Sequence, residues 1–468
     1  MGLTAQGLVG ECWFDEPTAR AEIEMISSAN RLIIRAVPIV AAILLPVAAV
    51  ADEAGLPPSG GSSSGSGAAM GPSPDRGIPF EGWMLYPSLF VGGVFNDNVY
   101  QTASNRTSAF GFRLTPNIQA DLDVGIHKAT AYAMADGQMY PGRNASLGLA
   151  ASTLAARTGL AYIWSPTSDV VARFSVDYTR QDGPFGSTLA TAGLINSATS
   201  FVNSSTSLNS SGFRQFSDVT TLALSVQKNV TEQTFVRIGG GMQNLVYERA
   251  PNGYSGGYSG DDYNASIRGG FWVTPQINAF VEAGGDLRRY FSAPLSDTNS
   301  YRVIGGLSSD MIGLFRGEVY GGVQEQFSAY NVFAAYLAPA FGGRVTYYPL
   351  EYLTIAASLD NSFGAAGVFN TVGSAVSSNN QTLQARLQAD YKLYEYWTAS
   401  ARGGYARTTY PGSSSVSETW LAAGGVSYNF WRNFALTLDY QYTWVTSGVS
   451  SQLAYSDNLA SFGVTYRY

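Results

Sequence analysis

The chain has 468 residues, a formal net charge of −7, only 13% charged residues, 52 glycines and 29 tyrosines. The acidic balance and the scarcity of Lys/Arg clusters exclude a nucleic-acid binder, and no stretch after residue 51 has the roughly 18 to 20 unbroken apolar residues of a membrane helix. Apolar residues dispersed at near-neutral mean hydropathy fit strands that are half polar, in a membrane barrel or a soluble β-protein.

The N-terminal region reads as an export signal. Arg31 and Arg35 precede an apolar run from Ala36 to Val50, which closes on Ala49-Val50-Ala51 before Asp52. A positive region, a short apolar core and a small-x-small site make a cleavable signal peptide, expected over 25–51. Met25 is the expected start, and 1–24 read as an extension from a start codon placed too early. The only cysteine, Cys12, falls in that extension; no apolar core precedes it, so it is not a lipoprotein cysteine. Residues 52–81, rich in Gly, Ser, Pro and Ala, carry too few apolar side chains to pack and read as a flexible periplasmic leader. That leader is too short to be a plug domain of a TonB-dependent transporter.

From Gly82 to Tyr468 runs of alternating polarity follow one another. In Phe434 to Trp444 every even position is large and apolar and every odd one is small or polar. In Thr382 to Leu393 the positions Leu383, Ala385, Leu387, Ala389, Tyr391 and Leu393 face one side and Gln384, Arg386, Gln388, Asp390 and Lys392 the other. Period-two runs are half-buried strands.

The connections between these runs alternate in length. Short turns are expected at Ser165-Pro166-Thr167, Asn229 to Glu232, Thr274-Pro275-Gln276, Tyr348-Pro349-Leu350-Glu351, Tyr394 to Trp397 and Phe430 to Asn433. Between them fall longer polar connections at 96–106, 137–150, 182–214, 249–261, 364–379 and 446–457. Short periplasmic turns and longer outer loops are the asymmetry of a transmembrane barrel. The predicted fold is all-β, a transmembrane antiparallel up-and-down barrel over 82–468. About 18 strands are expected, with 16 as the alternative. An even count puts both chain ends on the periplasmic side, and either number leaves a water-filled lumen.

Candidate chemistry is sparse. The only histidine, His127, falls in the first short turn or at the start of the third strand and reads as a turn residue making a local hydrogen bond. Asp261-Asp262 in a long loop is too small a group for calcium, which takes six to eight oxygens. No catalytic residue, cofactor site or metal site is expected, and the chain does not read as an enzyme. The inward register places Arg173, Arg237, Arg268, Arg288, Arg316, Arg386 and Arg402 in the lumen with Asp177, Glu282, Asp286, Glu318, Asp390 and Asp439. The two signs nearly balance, whereas a strongly ion-selective pore shows an excess of one. The Ser/Thr/Asn-rich segment 182–214 is the third outer loop, which is either a surface loop or one that narrows the pore.

The chain ends Ser461-Phe462-Gly463-Val464-Thr465-Tyr466-Arg467-Tyr468. Phe462, Val464, Tyr466 and Tyr468 share one face of a strand. Gly463, Tyr466 and the terminal Tyr468 resemble the C-terminal signal read by the bacterial barrel-assembly machinery.

The first strand and its loop, Leu89 to Tyr100, contain an aromatic residue, the triplet Asn96-Asp97-Asn98, then Val99 and Tyr100. With Leu114-Thr115-Pro116 on the second strand and His127 opening the third, this resembles the β-barrel porin type 2 family over 82–468. The first Asn of the triplet stands where that family more often has Asp. The resemblance implies a Gram-negative outer-membrane barrel, some of whose relatives accompany exopolysaccharide secretion systems and work with a periplasmic polysaccharide-export protein. The expected function is a passive, weakly selective porin-like channel for small solutes, monomeric or trimeric in outer-membrane lipid. The alternatives are the barrel of an exopolysaccharide-export translocon and a structural barrel with a closed lumen.

Overall fold

The computed structural model describes residues 77–142, 152–183, 215–247, 259–291, 297–331, 334–363, 381–394, 396–409, 411, 416–447 and 454–468. The expected signal peptide, the leader to residue 76, Cys12 and residues 184–214 lie outside the described residues. In chain order the strands are β1 (Ile78–Phe80), β2 (Trp83–Asn96), β3 (Ala109–Val124), β4 (His127–Met139), β5 (Thr153–Thr167), β6 (Val170–Gly183), β7 (Gln215–Asn229), β8 (Thr234–Tyr247), β9 (Gly260–Thr274) and β10 (Ile277–Tyr290). They continue as β11 (Thr298–Ile312), β12 (Phe315–Ser328), β13 (Tyr336–Leu350), β14 (Leu353–Phe363), β15 (Gln381–Lys392), β16 (Trp397–Thr409), β17 (Val416–Trp431), β18 (Phe434–Ser447) and β19 (Tyr455–Arg467). Among the described residues there is no helix.

All strands belong to one 19-stranded sheet. From β2 to β19 each strand pairs antiparallel with the next, and β19 returns to pair with β2, so eighteen strands close on themselves and no long edge is left open. Alternation sorts the faces. On β18 Phe434, Leu438, Tyr440 and Trp444 are exposed, while Ala435, Thr437, Thr443 and Val445 between them are buried. The outward face is the apolar one, which water would oppose and lipid requires: this is a transmembrane barrel. On β17 ten residues separate Trp420 from Phe430, both exposed, and with a strand tilt of roughly 40° they stand about 25 Å apart along the barrel axis, the height of a lipid-facing band. At the loop end the outward face becomes polar: Tyr178, Tyr263 and Tyr405 donate hydroxyls to Asp218, Asp261 and Glu418 at 2.9, 3.2 and 3.0 Å. Amphipathic rings with one wet end belong at such an interface.

Two expected turns move. The β5–β6 turn is Ser168–Asp169 and the β13–β14 turn Glu351–Tyr352, each two to three residues beyond its proline. Pro166 and Pro349 instead fall inside register irregularities at Trp164/Thr167 and Tyr347/Leu350, where a strand tolerates a residue that cannot donate. Three loop-end connections, 291–297, 329–335 and 410–415, are short. Asp261 and Asp262 are strand residues of β9 and point to opposite faces, so they do not form the loop pair expected from sequence.

The strand β1 lies within the span read as leader. Glu81 (φ 46°) and Gly82 (φ 85°) both have positive φ, the signature of a type I′ hairpin, and fold Ile78–Phe80 back on Trp83–Leu85. This fills a notch: β19 pairs with β2 only as far as Arg467 opposite Ser88, and β2 runs on to Trp83. At the changeover stands Pro87, which has no N–H to leave unpaired; its carbonyl accepts the Tyr468 N–H at 3.2 Å.

Candidate functional site at the inner wall and mouth

The inner face carries the polar chemistry, and it divides into a wall and a mouth. The wall is built on β9 to β14. Phe280, Ile304 and Ala340 form a buried inward cluster with Tyr320 packed on it. Above this apolar base Arg268 donates from Nε to Glu282 at 2.5 Å and from Nη1 to Glu318 at 2.7 Å, its guanidinium lying 3.8 Å over the Phe280 ring. Glu282 is its direct cross-strand neighbour, but Glu318 is three strands away. Arg302 reaches Glu282 at 3.7 Å and Tyr320 donates to Asp360 at 2.5 Å. Further towards the loop end Arg288 joins Asp262 at 2.9 Å and Asp286 at 3.7 Å.

A second set lies on β3 to β6. Arg113 grips Asp136 through Nε (2.8 Å) and Nη2 (3.1 Å), and Thr115 donates to the same carboxylate at 2.8 Å. The β3–β4 ladder skips here, from Leu114 opposite Gly137 to Asn117 opposite Met134, because Pro116 has no donor to offer. The ion pair thus staples a gap made by the Leu114-Thr115-Pro116 motif. Next to it Arg157 binds Asp177 at 3.0 Å, and Tyr132 donates its hydroxyl to Asp177.

The residues expected in the lumen fall at positions of one parity on each strand: Arg173 and Asp177 on β6, Arg237 on β8, Arg268 on β9, Glu282, Asp286 and Arg288 on β10, Arg316 and Glu318 on β12, Arg386 and Asp390 on β15, Arg402 on β16, Asp439 on β18. The structure joins Arg268 to Glu282 and Glu318, and Arg288 to Asp286. Arg237 and Arg386 bond to the amides of Gln227 and Gln384 instead, and Asp390 accepts from Gln388. Arg113, Asp136, Arg157, Asp262 and Arg302 belong to the same face but are absent from the sequence-based set. The alternation Phe110, Phe112, Leu114 is the signal that places Arg113 inward. His127 is the first residue of β4, and in place of the local turn bond expected its Nδ1 bonds across the sheet to the Tyr162 hydroxyl of β5 at 2.6 Å.

At the mouth the first loop-end connection, 97–108, folds inward against the inner face. Val99 packs in a buried cluster with Val94, Ala109 and Tyr140, against which Tyr100 and Leu459 lean. The triplet Asn96-Asp97-Asn98 makes that fold. Asn96 Oδ1 accepts the Asn98 N–H at 2.7 Å. Asn98, fully buried, donates from Nδ2 to the carbonyls of Thr102 (2.9 Å) and Ser456 (3.0 Å) and accepts the Thr102 N–H at 3.1 Å. Asp97 accepts both the backbone N–H and the Nδ2 of Asn458, at 2.7 and 2.6 Å. A second tie runs from Arg106 Nη2 to Ser456 Oγ at 2.7 Å. Short Asx side chains suit this work because they bond backbone within a turn or two.

Below the mouth, Gly463 of β19 pairs directly with Gly92 of β2. A Cβ at Gly463 would stand 2.6 Å from Gly92 Cα and 2.8 Å from the Phe90 ring, so the close approach needs glycine on both strands. Tyr466 faces outward with its ring 5.2 Å from that of Phe434.

The sequence model of the family described as "Putative beta-barrel porin 2" matches residues 72–468. No curated protein matches the chain. Among solved structures, the anion-selective porin from Comamonas acidovorans is 12% identical over 82% of this chain and 99% of its own, with a TM-score of 0.34. Acinetobacter baumannii OccAB4 is 9% identical over 85% and 100%, with a TM-score of 0.40, and the siderophore receptor PirA from Pseudomonas aeruginosa 10% over 82% and 80%, with a TM-score of 0.37.

Proposed function

Because the chain belongs to the Putative beta-barrel porin 2 family, we propose that it is an outer-membrane channel through which small polar solutes diffuse with little preference for the sign of their charge. The observation that carries this is the state of the luminal charges. Arginines and carboxylates share the inner face, and much of the carboxylate charge is tied into pairs with arginine (Asp136, Asp177, Asp262, Glu282, Glu318). Paired charges give a permeating ion no net field to follow, and the inward loop 97–108 narrows the path with amides and hydroxyls, which discriminate weakly between anions and cations. Export through a signal peptide over 25–51, and insertion guided by Gly463, Tyr466 and Tyr468, complete the reading.

Conductance of the purified mature barrel in a planar bilayer tests it. Stable open steps, with a reversal potential near zero across a KCl gradient, are expected. A large reversal potential would replace weak selectivity with a strong one. A barrel that stays silent until a periplasmic partner is added would make it the translocon of a larger machine.

A further inference from the structure

The mouth holds a carboxylate that no side chain neutralises. Asp457, the third residue of β19, turns inward and is only 6% exposed. Among the described residues it has no ion-pair partner within 4.0 Å. Its Oδ2 takes a long hydrogen bond from Gln101 Nε2 at 3.3 Å, and the Asn96 amide is a second neutral donor beside the carboxylate. Its Oδ1 is buried without a donor, and so is the Oε1 of the same Gln101. Elsewhere on the inner face buried carboxylates such as Glu282 meet arginine. A buried carboxylate without a counter-charge is costly, and two neighbouring acceptor oxygens without donors call for something that brings positive charge and takes oxygen ligands.

We propose that Asp457 and Gln101 hold a hydrated Mg²⁺ ion, with Asp457 Oδ1 and Gln101 Oε1 as protein ligands and water filling the other positions. Hard cations of this kind bind carboxylate, amide and water oxygens, and magnesium in particular keeps several of its waters. Asp97 adds a second negative charge beside the site while its own oxygens stay committed to Asn458. Among the described residues no three His, Cys, Asp or Glu side chains come together, so most of the ion's ligands are water and the site is a weak one. The cation bridges the inward loop, through Gln101, to β19. It therefore fastens the loop in the mouth at the place where the chain's first and last barrel strands meet.

The test uses the full mature barrel, refolded in detergent and checked for heat-modifiable migration. Mg²⁺ is titrated by calorimetry, and Tb³⁺ is followed by luminescence sensitised by nearby Tyr455 and Tyr100. One saturable site is expected, weakened at least tenfold by Asp457→Asn and several-fold by Gln101→Ala, and unchanged by Asp121→Asn, a luminal carboxylate bonded to Gln119 at the other end of β3. The proposal is overturned if the wild-type barrel shows no saturable binding at millimolar cation, as it would if Asp457 were simply protonated. It is equally overturned if folded Asp457→Asn and Gln101→Ala bind as the wild type does, or if Asp121→Asn loses binding to the same degree.

Discussion

The seam between β2 and β19 and the wall of β9 to β12 solve one problem in opposite ways. Both must bury polar groups on the inner face of a barrel. The wall does it with charge: Arg268, 3% exposed, is shared by Glu282 and Glu318 over an apolar base of Phe280 and Ile304. The seam does it mostly with short side chains: Asn96, Asp97, Asn98 and Asn458 answer backbone and loop, Arg106 ties the loop to Ser456, and paired glycines let the strands approach. The difference teaches where each device suits. Long guanidinium side chains can span several strands of a finished wall. A joint formed from the two ends of the chain needs short side chains that fix backbone to backbone.

Four changes would break or sharpen that contrast. Removing Tyr466–Tyr468 takes away the Tyr466 contact with Phe434 of β18 and, from the seam, the Tyr468 bond to Pro87. At least a tenfold drop in heat-modifiable barrel in the outer membrane is expected, and undiminished levels would show that the C-terminus is not an assembly signal. Next is Arg268→Ala, which leaves Glu318 without its arginine and Glu282 with only the more distant Arg302 at 3.7 Å. Breaking such a buried pair costs about 3–5 kcal/mol, to be read as a lower urea midpoint in lipid vesicles; an unchanged midpoint would mean that water already screens the pair. For the seam, Asn98→Ala strands the Thr102 and Ser456 carbonyls, at about 1–3 kcal/mol. Single-channel recordings of this variant should also become noisier as loop 97–108 loosens, whereas quiet traces would deny the loop its place in the mouth. Smallest is Lys128→Ala at the exposed pair with Asp123, whose side chains are 49% and 59% accessible. Exposed pairs contribute about 0–1 kcal/mol, and a larger loss would undo the distinction between buried and exposed charge drawn from Arg268.

Some of this organisation was legible in the chain. Alternation along Phe434 to Trp444 gives the faces directly, since a strand turns every second side chain to the same side. It places Arg268 and Glu282 inward with no structure in hand. The triplet Asn96-Asp97-Asn98 stood out as a motif, but its use did not: that Asn98 bonds Ser456 depends on a residue 358 positions away. The segment 182–214 reads from sequence as either a surface loop or one that narrows the pore, and residues 184–214 lie outside the described residues. Among the described residues the loop that turns inward is the shorter 97–108, because Val99 and Tyr100 give it an apolar anchor that length does not reveal.

The sequence by itself determined the all-β architecture, the closure of an even number of strands and the side of each strand that meets lipid. These follow from local periodicity, and a strand's alternation survives whatever it pairs with. Only the tertiary structure decided which charge meets which. Arg268 crosses two strands to reach Glu318, and Asp457 lies against Gln101 from the far end of the chain. Such meetings depend on register, curvature and the joining of chain ends, which are properties of the closed barrel and of no segment within it.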